Sequence, residues 1–281
     1  MEKIYIVTDS TAGVPKDIVE NNNVKVLPLT IEFEGKVYKD GVEITEQDLL
    51  SMLDKGEELP KTSQVNPKMF CDEFEEILSK GYKIISIHIS SKLSGTYQSA
   101  CIAKDMLKDK GEIHVIDSKG VSFATGALVQ EAINMINQGD SLDVVVEKIK
   151  DLSDKVRVAF AVDDLEYIRK GGRISSVHAA VGTLLNIKPV LHMEDGKIDV
   201  FEKVRGRKKA LKTLLNYVKE NNPDTDLTFA VGNVAANEDM ELFRDMLKSE
   251  NIKEDAQRVS VGSVIATYAG PGTVGVFFFE K

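Results

Sequence analysis

Short apolar runs separated by polar, turn-forming stretches recur along the chain, and their periodicity assigns most of them. The opening IYIVTDSTAGVP is an apolar run, then polar turn residues, then Pro15, which suits a helix start; it predicts a strand–loop–helix unit. VKVLPLTIEF (24–33) reads as extended, and EGKVY offers a hairpin around Gly35. Thr45 followed by Asp48 resembles a capping box and starts a helix through Leu53. Asn66 caps and Pro67 starts another, to about Leu78. KIISIHI (83–89) alternates poorly and is rich in Ile, which suits a parallel strand buried on both faces. A Ser-rich loop, SSKLSG, runs into the next helix; EIHVID (112–117) is a strand and VSFATGALVQEAINMI a helix. Strands alternating with helices predict a three-layer α/β/α unit around an open parallel sheet.

From about residue 156 the texture changes. VRVAFAV is a strand, and DDLEYIRKGGRIS a short helix ended by paired glycines. KPVLHMEDGKIDVFEKV is a hairpin whose turn is Glu194-Asp195-Gly196. GRKKALKTLLNYVKEN is an amphipathic helix, followed by LTFAVGN, a further helix and C-terminal strands. Paired hairpin strands with helices predict a second α/β domain with a mixed sheet, dividing the chain into 1–155 and 156–281. Residues 259–279 hold 21 residues without a charge, long enough to span a bilayer. Gly270-Pro271-Gly272 interrupts them and Ser260, Ser263, Thr267 and Thr273 dilute them, so two buried strands joined by a turn are expected, with no integral membrane segment.

Composition adds exclusions. A length of 281 residues suits one large domain or two ordinary ones, and 42% apolar with 29% charged residues buries a core and excludes wholesale disorder. A formal charge of −9 argues against nucleic-acid binding, whose affinity comes from neutralising phosphates. The charge is uneven: residues 1–150 hold 17 Lys, no Arg and 25 acids, whereas residues 151–281 hold 19 basic residues, including all seven Arg, against 20 acids. The second half is the one suited to an anion or an acidic partner. Cys71 and Cys101 form no C-x-x-C and the N-terminus carries no signal peptide, so free thiols and a cytoplasmic location are expected.

The candidate chemistry lies in polar loops at strand ends. Thr8-Asp9-Ser10-Thr11, Thr62-Ser63-Gln64 and Ser90-Ser91-Lys92-Leu93-Ser94-Gly95-Thr96 are crowded with hydroxyls, and in an open parallel sheet such loops gather at the ligand-binding edge. Each is also an ordinary N-cap; together they suggest a shared anion site. Gly95 lets a ligand approach the backbone beside the Ser94 hydroxyl. Other patterns fail: Gly270-Pro271-Gly272-Thr273-Val274-Gly275 matches G-x-G-x-x-G, but only six residues follow it and no helix can start there. There is no P-loop, no H-x-x-x-H and no G-x-S-x-G, so neither a metal, a cofactor nor a catalytic residue is predicted, and the four histidines read as structural. Two basic clusters remain, Arg169-Lys170-Gly171-Gly172-Arg173 and the run Lys203, Arg205, Arg207, Lys208, Lys209 and Lys212. The second fits a solvated helix face; the first places two arginines around a glycine pair, suited to bidentate contacts.

Taken together, TDST at 8–11, TSQ at 62–64, SSKLSGTYQSA at 90–100, RKGGRIS at 169–175 and GPGTVG at 270–275 resemble the DegV family, in the family's order and across nearly the whole chain. The resemblance implies two α/β domains with a long-chain fatty acid buried between them. It further implies an acyl-carrying subunit for a separate ATP-dependent fatty acid kinase, whose acyl-phosphate product feeds phospholipid synthesis. By this resemblance Thr62 and Ser94 hold the carboxylate, with Ser63, Gly95 and Tyr268 beside them. Arg173, with Arg169, Lys170 and Arg205, faces the phosphate or the partner. The family commonly has a T-H-T-G-P-G pattern where this chain has Thr267-Tyr268-Ala269-Gly270-Pro271-Gly272; a phenol donates a hydrogen bond there, whereas an imidazole would also take up a proton.

The physical demands of such a ligand agree. A tail of roughly 14 methylenes, at about 0.8 kcal/mol each, supplies about 11 kcal/mol before the cost of association. The carboxylate needs hydroxyl and amide donors, because an unpaired buried charge cancels much of that gain. VHAAVGTLLNI (177–187) and SVIATYA (263–269) are candidate tail linings. Two alternatives stay open: a carrier or regulator for another amphiphile with no kinase partner, and an enzyme that itself transfers phosphoryl or acyl groups.

Overall fold

A computed structural model describes residues 2–53, 59–174 and 187–281. The strands are β1 (Ile4–Asp9), β2 (Val24–Leu27), β3 (Thr30–Phe33), β4 (Lys36–Lys39), β5 (Lys61–Ser63), β6 (Lys83–His88), β7 (Ile113–Asp117), β8 (Val156–Ala161), β9 (Ile187–Glu194), β10 (Lys197–Arg205), β11 (Ala230–Val234), β12 (Gln257–Ser260) and β13 (Thr273–Phe279). The helices are α1 (Lys16–Asn21), α2 (Glu46–Leu53), α3 (Pro67–Ser79), α4 (Thr96–Met106), α5 (Phe123–Gln138), α6 (Leu142–Lys155), α7 (Glu166–Gly171), α8 (Arg207–Glu220), α9 (Asn237–Ser249) and α10 (Ser263–Ala269).

The first sheet, ordered β2-β1-β6-β7, is wholly parallel. Residues 84–88 of β6 are all buried, as a strand covered on both faces requires; α3 pairs with α4 against the sheet, and α5 with α6. The second sheet, ordered β10-β9-β8-β13-β11-β12, is mixed: β11 and β12 are parallel and the other pairs antiparallel. Its strands alternate as a two-sided sheet must. Ala159, Ala161, Val274, Val276 and Phe278 join the core beneath α8 and α9, while Val158, Phe160 and Phe277 face the core shared with the first sheet.

Helix α5 packs against strands of both sheets, which explains its composition. It is buried almost all round and rich in small residues, and a Cβ on Gly126 would lie 2.3 Å from the Ala12 carbonyl oxygen. Its one buried acid, Glu131, accepts hydrogen bonds from the Thr228 backbone N–H (3.0 Å) and hydroxyl (2.6 Å), fastening it to the segment that enters β11.

Several local signals act as their chemistry dictates. Thr45 and Asp48 exchange the bonds of a capping box, and Asn66 accepts from the Met69 N–H at 3.0 Å. The turn at Asp195-Gly196 has φ of 49° and 77°, the left-handed pair a tight hairpin needs. Others differ from expectation. The run 24–33 breaks at Pro28 into β2 of the parallel sheet and β3 of a separate antiparallel sheet, β4-β3-β5. The uncharged run 259–279 is not two strands joined by a turn: it holds the end of β12, the whole of α10 and then β13. Gly262 and Gly270, at φ of 81° and 73°, break the extended path on either side of residues 263–269, and those seven close into helix. Among the described residues no helix is long and apolar enough to cross a membrane.

Candidate functional site

A cavity of about 520 Å³ lies between the two sheets. Its floor is the inner face of the second sheet, with Val158 and Phe160 from β8 and Thr273, Gly275 and Phe277 from β13. Leu29, Ile89 and Val121 face it from the loops of the first sheet, and Val264 and Ile265 from α10. The segment 263–269 contributes lining residues to this cavity; of the other candidate lining, residues 177–187, positions 177–186 lie outside the described residues.

The polar groups gather at one end through contacts among loops distant in sequence. Strand β5 pairs with β3, Thr62 opposite Ile31, and this small sheet aims Thr62 at α10. There the Thr62 and Tyr268 hydroxyls are hydrogen-bonded. The Tyr268 ring lies under the Arg173 guanidinium, 4.7 Å from Cζ to ring centroid, a cation–π geometry. The paired glycines of the R-K-G-G-R motif divide the work. Gly172, at φ 69°, ends α7, while Gly171 leaves room for the ring, since a Cβ there would lie 2.1 Å from a Tyr268 carbon.

Just past the end of β5, Gln64 packs on the other loop. Its amide donates to the Ser99 hydroxyl (2.9 Å) and the Gly95 carbonyl (3.3 Å), and a Cβ on Gly95 would lie 2.0 Å from the Gln64 Oε1. A side chain at 95 would push the flexible Gln64 amide aside and break its bonds to Ser99 and Gly95. The Ser94 hydroxyl accepts from the Thr96 N–H at 3.3 Å and bonds the Thr96 hydroxyl at 3.0 Å, at the start of α4. Thr62, Ser63, Ser94, Gly95, Tyr268 and Arg173 all line the cavity.

Two groups of candidates stand apart. The first hydroxyl loop does not join the site, because its polar groups bond each other and the sheet. Thr8 donates to the Ile87 carbonyl at 2.8 Å, and the Ser10 hydroxyl accepts from the Leu29 N–H at 3.1 Å. Asp9 accepts from the Thr11 and Ile89 N–H groups at 3.1 and 3.2 Å and bonds His88 at 2.9 Å. Ser86 bonds the other His88 nitrogen at 2.6 Å, completing a Ser–His–Asp chain; all three residues have no exposed surface, so this is a core network that no ligand reaches. The shared site thus takes two of the three loops. Likewise, Arg169 and Lys170 lie exposed on α7, Lys170 paired with Glu166 at 2.7 Å, and Arg205 is exposed at the end of β10; none of the three lines the cavity.

Sequence reasoning passed over Asp40. This carboxyl is buried where the Ser10 and Ser263 hydroxyls and the Val264 N–H approach it, at the start of the helix that carries Tyr268. Desolvation outweighs these contacts and raises its pKa; Oδ2 has no hydrogen-bond partner among the described residues. No local signal marks the residue, since every partner is distant in sequence. As for metals, Glu112, His114 and Asp143 approach one another within 4.8 Å, but Glu112 already pairs with Lys83 at 2.9 Å and none of the three lines the cavity.

A parallel sheet and a mixed sheet enclose a largely apolar cavity, and a small antiparallel sheet brings Thr62 to it; together they define an α/β fold with an internal pocket. The chain belongs to the DegV family: residues 3–281 match the sequence model of that family of uncharacterised proteins. It is 40% identical to a DegV domain-containing protein of Caldanaerobacter subterraneus subsp. tengcongensis, over 100% of both chains. Among solved structures it is similar to a fatty acid binding DegV family protein of Streptococcus agalactiae, with a TM-score of 0.92, 35% identity and 100% of both chains covered. It also resembles a stearic acid-binding protein of Eubacterium ventriosum, with a TM-score of 0.88, 32% identity and coverage of 100% of this chain and 99% of that one.

Proposed function

We propose that this protein binds a long-chain fatty acid between two domains, 1–155 and 156–281, and presents its carboxylate to a separate ATP-dependent fatty acid kinase. The observation that carries this reading is the cavity itself: its wall is mostly apolar, the hydroxyls of Thr62, Ser94 and Tyr268 face it, and Ser91, Lys92, Ser122 and Thr273 add further polar groups. The apolar wall takes the methylene chain, which supplies most of the affinity, and the hydroxyls with Ser63 and the Gly95 backbone take the head group. The binding of fatty acids by similar DegV proteins supports the same occupant. Arg173 stands at the polar end with its charge exposed, suited to a phosphate forming on the carboxylate; Arg169, Lys170 and Arg205 offer cations for a partner surface. The chain acts as carrier, and the phosphoryl transfer belongs to the partner.

Extraction of the purified, denatured protein and mass spectrometry of the extract is the test. A near-stoichiometric long-chain fatty acid is expected, and substituting Thr62→Ala together with Ser94→Ala lowers its retention. A lipid-free wild-type protein overturns the proposal; unchanged retention in the double variant overturns the head-group assignment. Incubation with ATP and fatty acid, without any partner, is expected to leave the acid unphosphorylated.

A further inference from the structure

Gly275 is the one residue of the cavity floor whose identity neither packing nor backbone conformation explains. β13 lies between β8 and β11, and all its residues are buried. Glycine inside such a strand loses packing and conformational entropy, so its presence there calls for a cause. A left-handed backbone is not the cause, because Gly275 has no φ in that region. Crowding is not the cause either: an added Cβ would find its nearest neighbours at 3.4 Å (Phe160 Cβ), 3.5 Å (Phe277 Cζ) and 3.7 Å (the Ala159 carbonyl oxygen), ordinary van der Waals distances. Gly232, its partner on β11, differs, since a Cβ there would press on Val259 and Val261 at 3.1 Å.

Gly275 lines the cavity between Phe160 and the tip of the Phe277 ring, so a side chain reaching past Cβ enters the cavity beside those two rings. Thr273 marks the polar end of β13, donating its hydroxyl to the Ala269 carbonyl at 2.8 Å, one residue beyond Tyr268. At about 3.4 Å per residue, Gly275 lies roughly 7 Å further along the floor and Phe277 roughly 14 Å. A chain anchored at Thr62, Ser94 and Tyr268 and extending along this floor passes position 275 in the gap between Phe160 and Phe277.

We infer that Gly275 sets the length of acyl chain the cavity accepts, which rests on the reading of the occupant as a fatty acid. A side chain here walls off the part of the cavity beyond it, and each methylene denied burial costs about fourfold in affinity.

The experiment uses delipidated full-length wild type, Gly275→Ala and Gly275→Val, each offered an equimolar mixture of saturated fatty acids from decanoate to octadecanoate. Bound lipid is then quantified by mass spectrometry, with thermal unfolding recorded for each protein. In Gly275→Val the ratio of bound hexadecanoate to dodecanoate is expected to fall about tenfold or more relative to wild type, because both chains pass position 275 and hexadecanoate carries four more methylenes beyond it. Gly275→Ala, whose methyl fits without displacing a neighbour, shifts the same way by less and decides the matter if the valine variant does not fold. An unchanged ratio in a folded variant overturns the inference, as does an equal loss of every chain length. Failure of the wild type to take up any fatty acid is a different result: it overturns the occupant first, and the length gauge with it.

Discussion

Tyr268 shows how much the site depends on single residues. Its hydroxyl meets Thr62, its ring meets Arg173, and the ring fits because position 171 has no side chain. Asp40 acts on the same helix from the other end, where desolvation raises its pKa above the usual aspartate value. The folded protein therefore holds that proton more tightly than the unfolded chain. Its contribution to stability is greatest below the ordinary carboxylate range and is lost as pH rises through the raised value. Asp40→Asn keeps the shape and an acceptor and never ionises. Thermal unfolding is expected to show the variant more stable than wild type at neutral pH, with the gap closing as the solution is acidified. A gap that widens toward acid contradicts the assignment.

At the scale of elements, most of the architecture was legible because its causes are local. Asn66, Pro67 and the apolar spacing of Phe70, Phe74 and Ile77 lie within a few turns and together make α3. Asn66→Ala removes the bond to the Met69 N–H and is expected to cost about 1 kcal/mol in chemical denaturation, leaving the cavity intact. Helix α10 was not legible for the converse reason. SVIATYA is a short apolar run rich in β-branched residues, which periodicity cannot assign, and it follows a strand pattern. What fixes it as helix is the pair of left-handed glycines around it and its packing against α2 and α7. The first hydroxyl loop erred in the other direction: its residues suit an anion site, and hydrogen bonds to the sheet consume them.

For the whole molecule, the cavity floor belongs to one sheet and its polar end joins loops of the first half to α7 and α10 of the second. An occupant touching both halves stabilises the folded state in proportion to RT ln(1 + [L]/Kd), about 2.7 kcal/mol at a hundredfold excess over Kd. Delipidated protein is therefore expected to unfold several degrees below the loaded form, with hexadecanoate restoring the difference. Calorimetry showing identical transitions would argue that nothing bridges the halves. The charge asymmetry of the sequence takes a more specific form at this scale. Neutral hydroxyls of the Arg-free half supply Thr62 and Ser94, and of the arginines 169, 173 and 205 only Arg173 comes to the cavity.

By itself the sequence determined most of the strand and helix order, α10 excepted, together with the caps and hairpin turns and the motifs that mark the family, because each depends on residues a few positions apart. Only the tertiary structure decided which polar loops meet, why Gly171 lacks a side chain, where Asp40 sits and that Gly275 lines the cavity. The physical reason is separation along the chain. The Thr62–Tyr268 hydrogen bond joins residues 206 positions apart, and no local periodicity carries information over that distance.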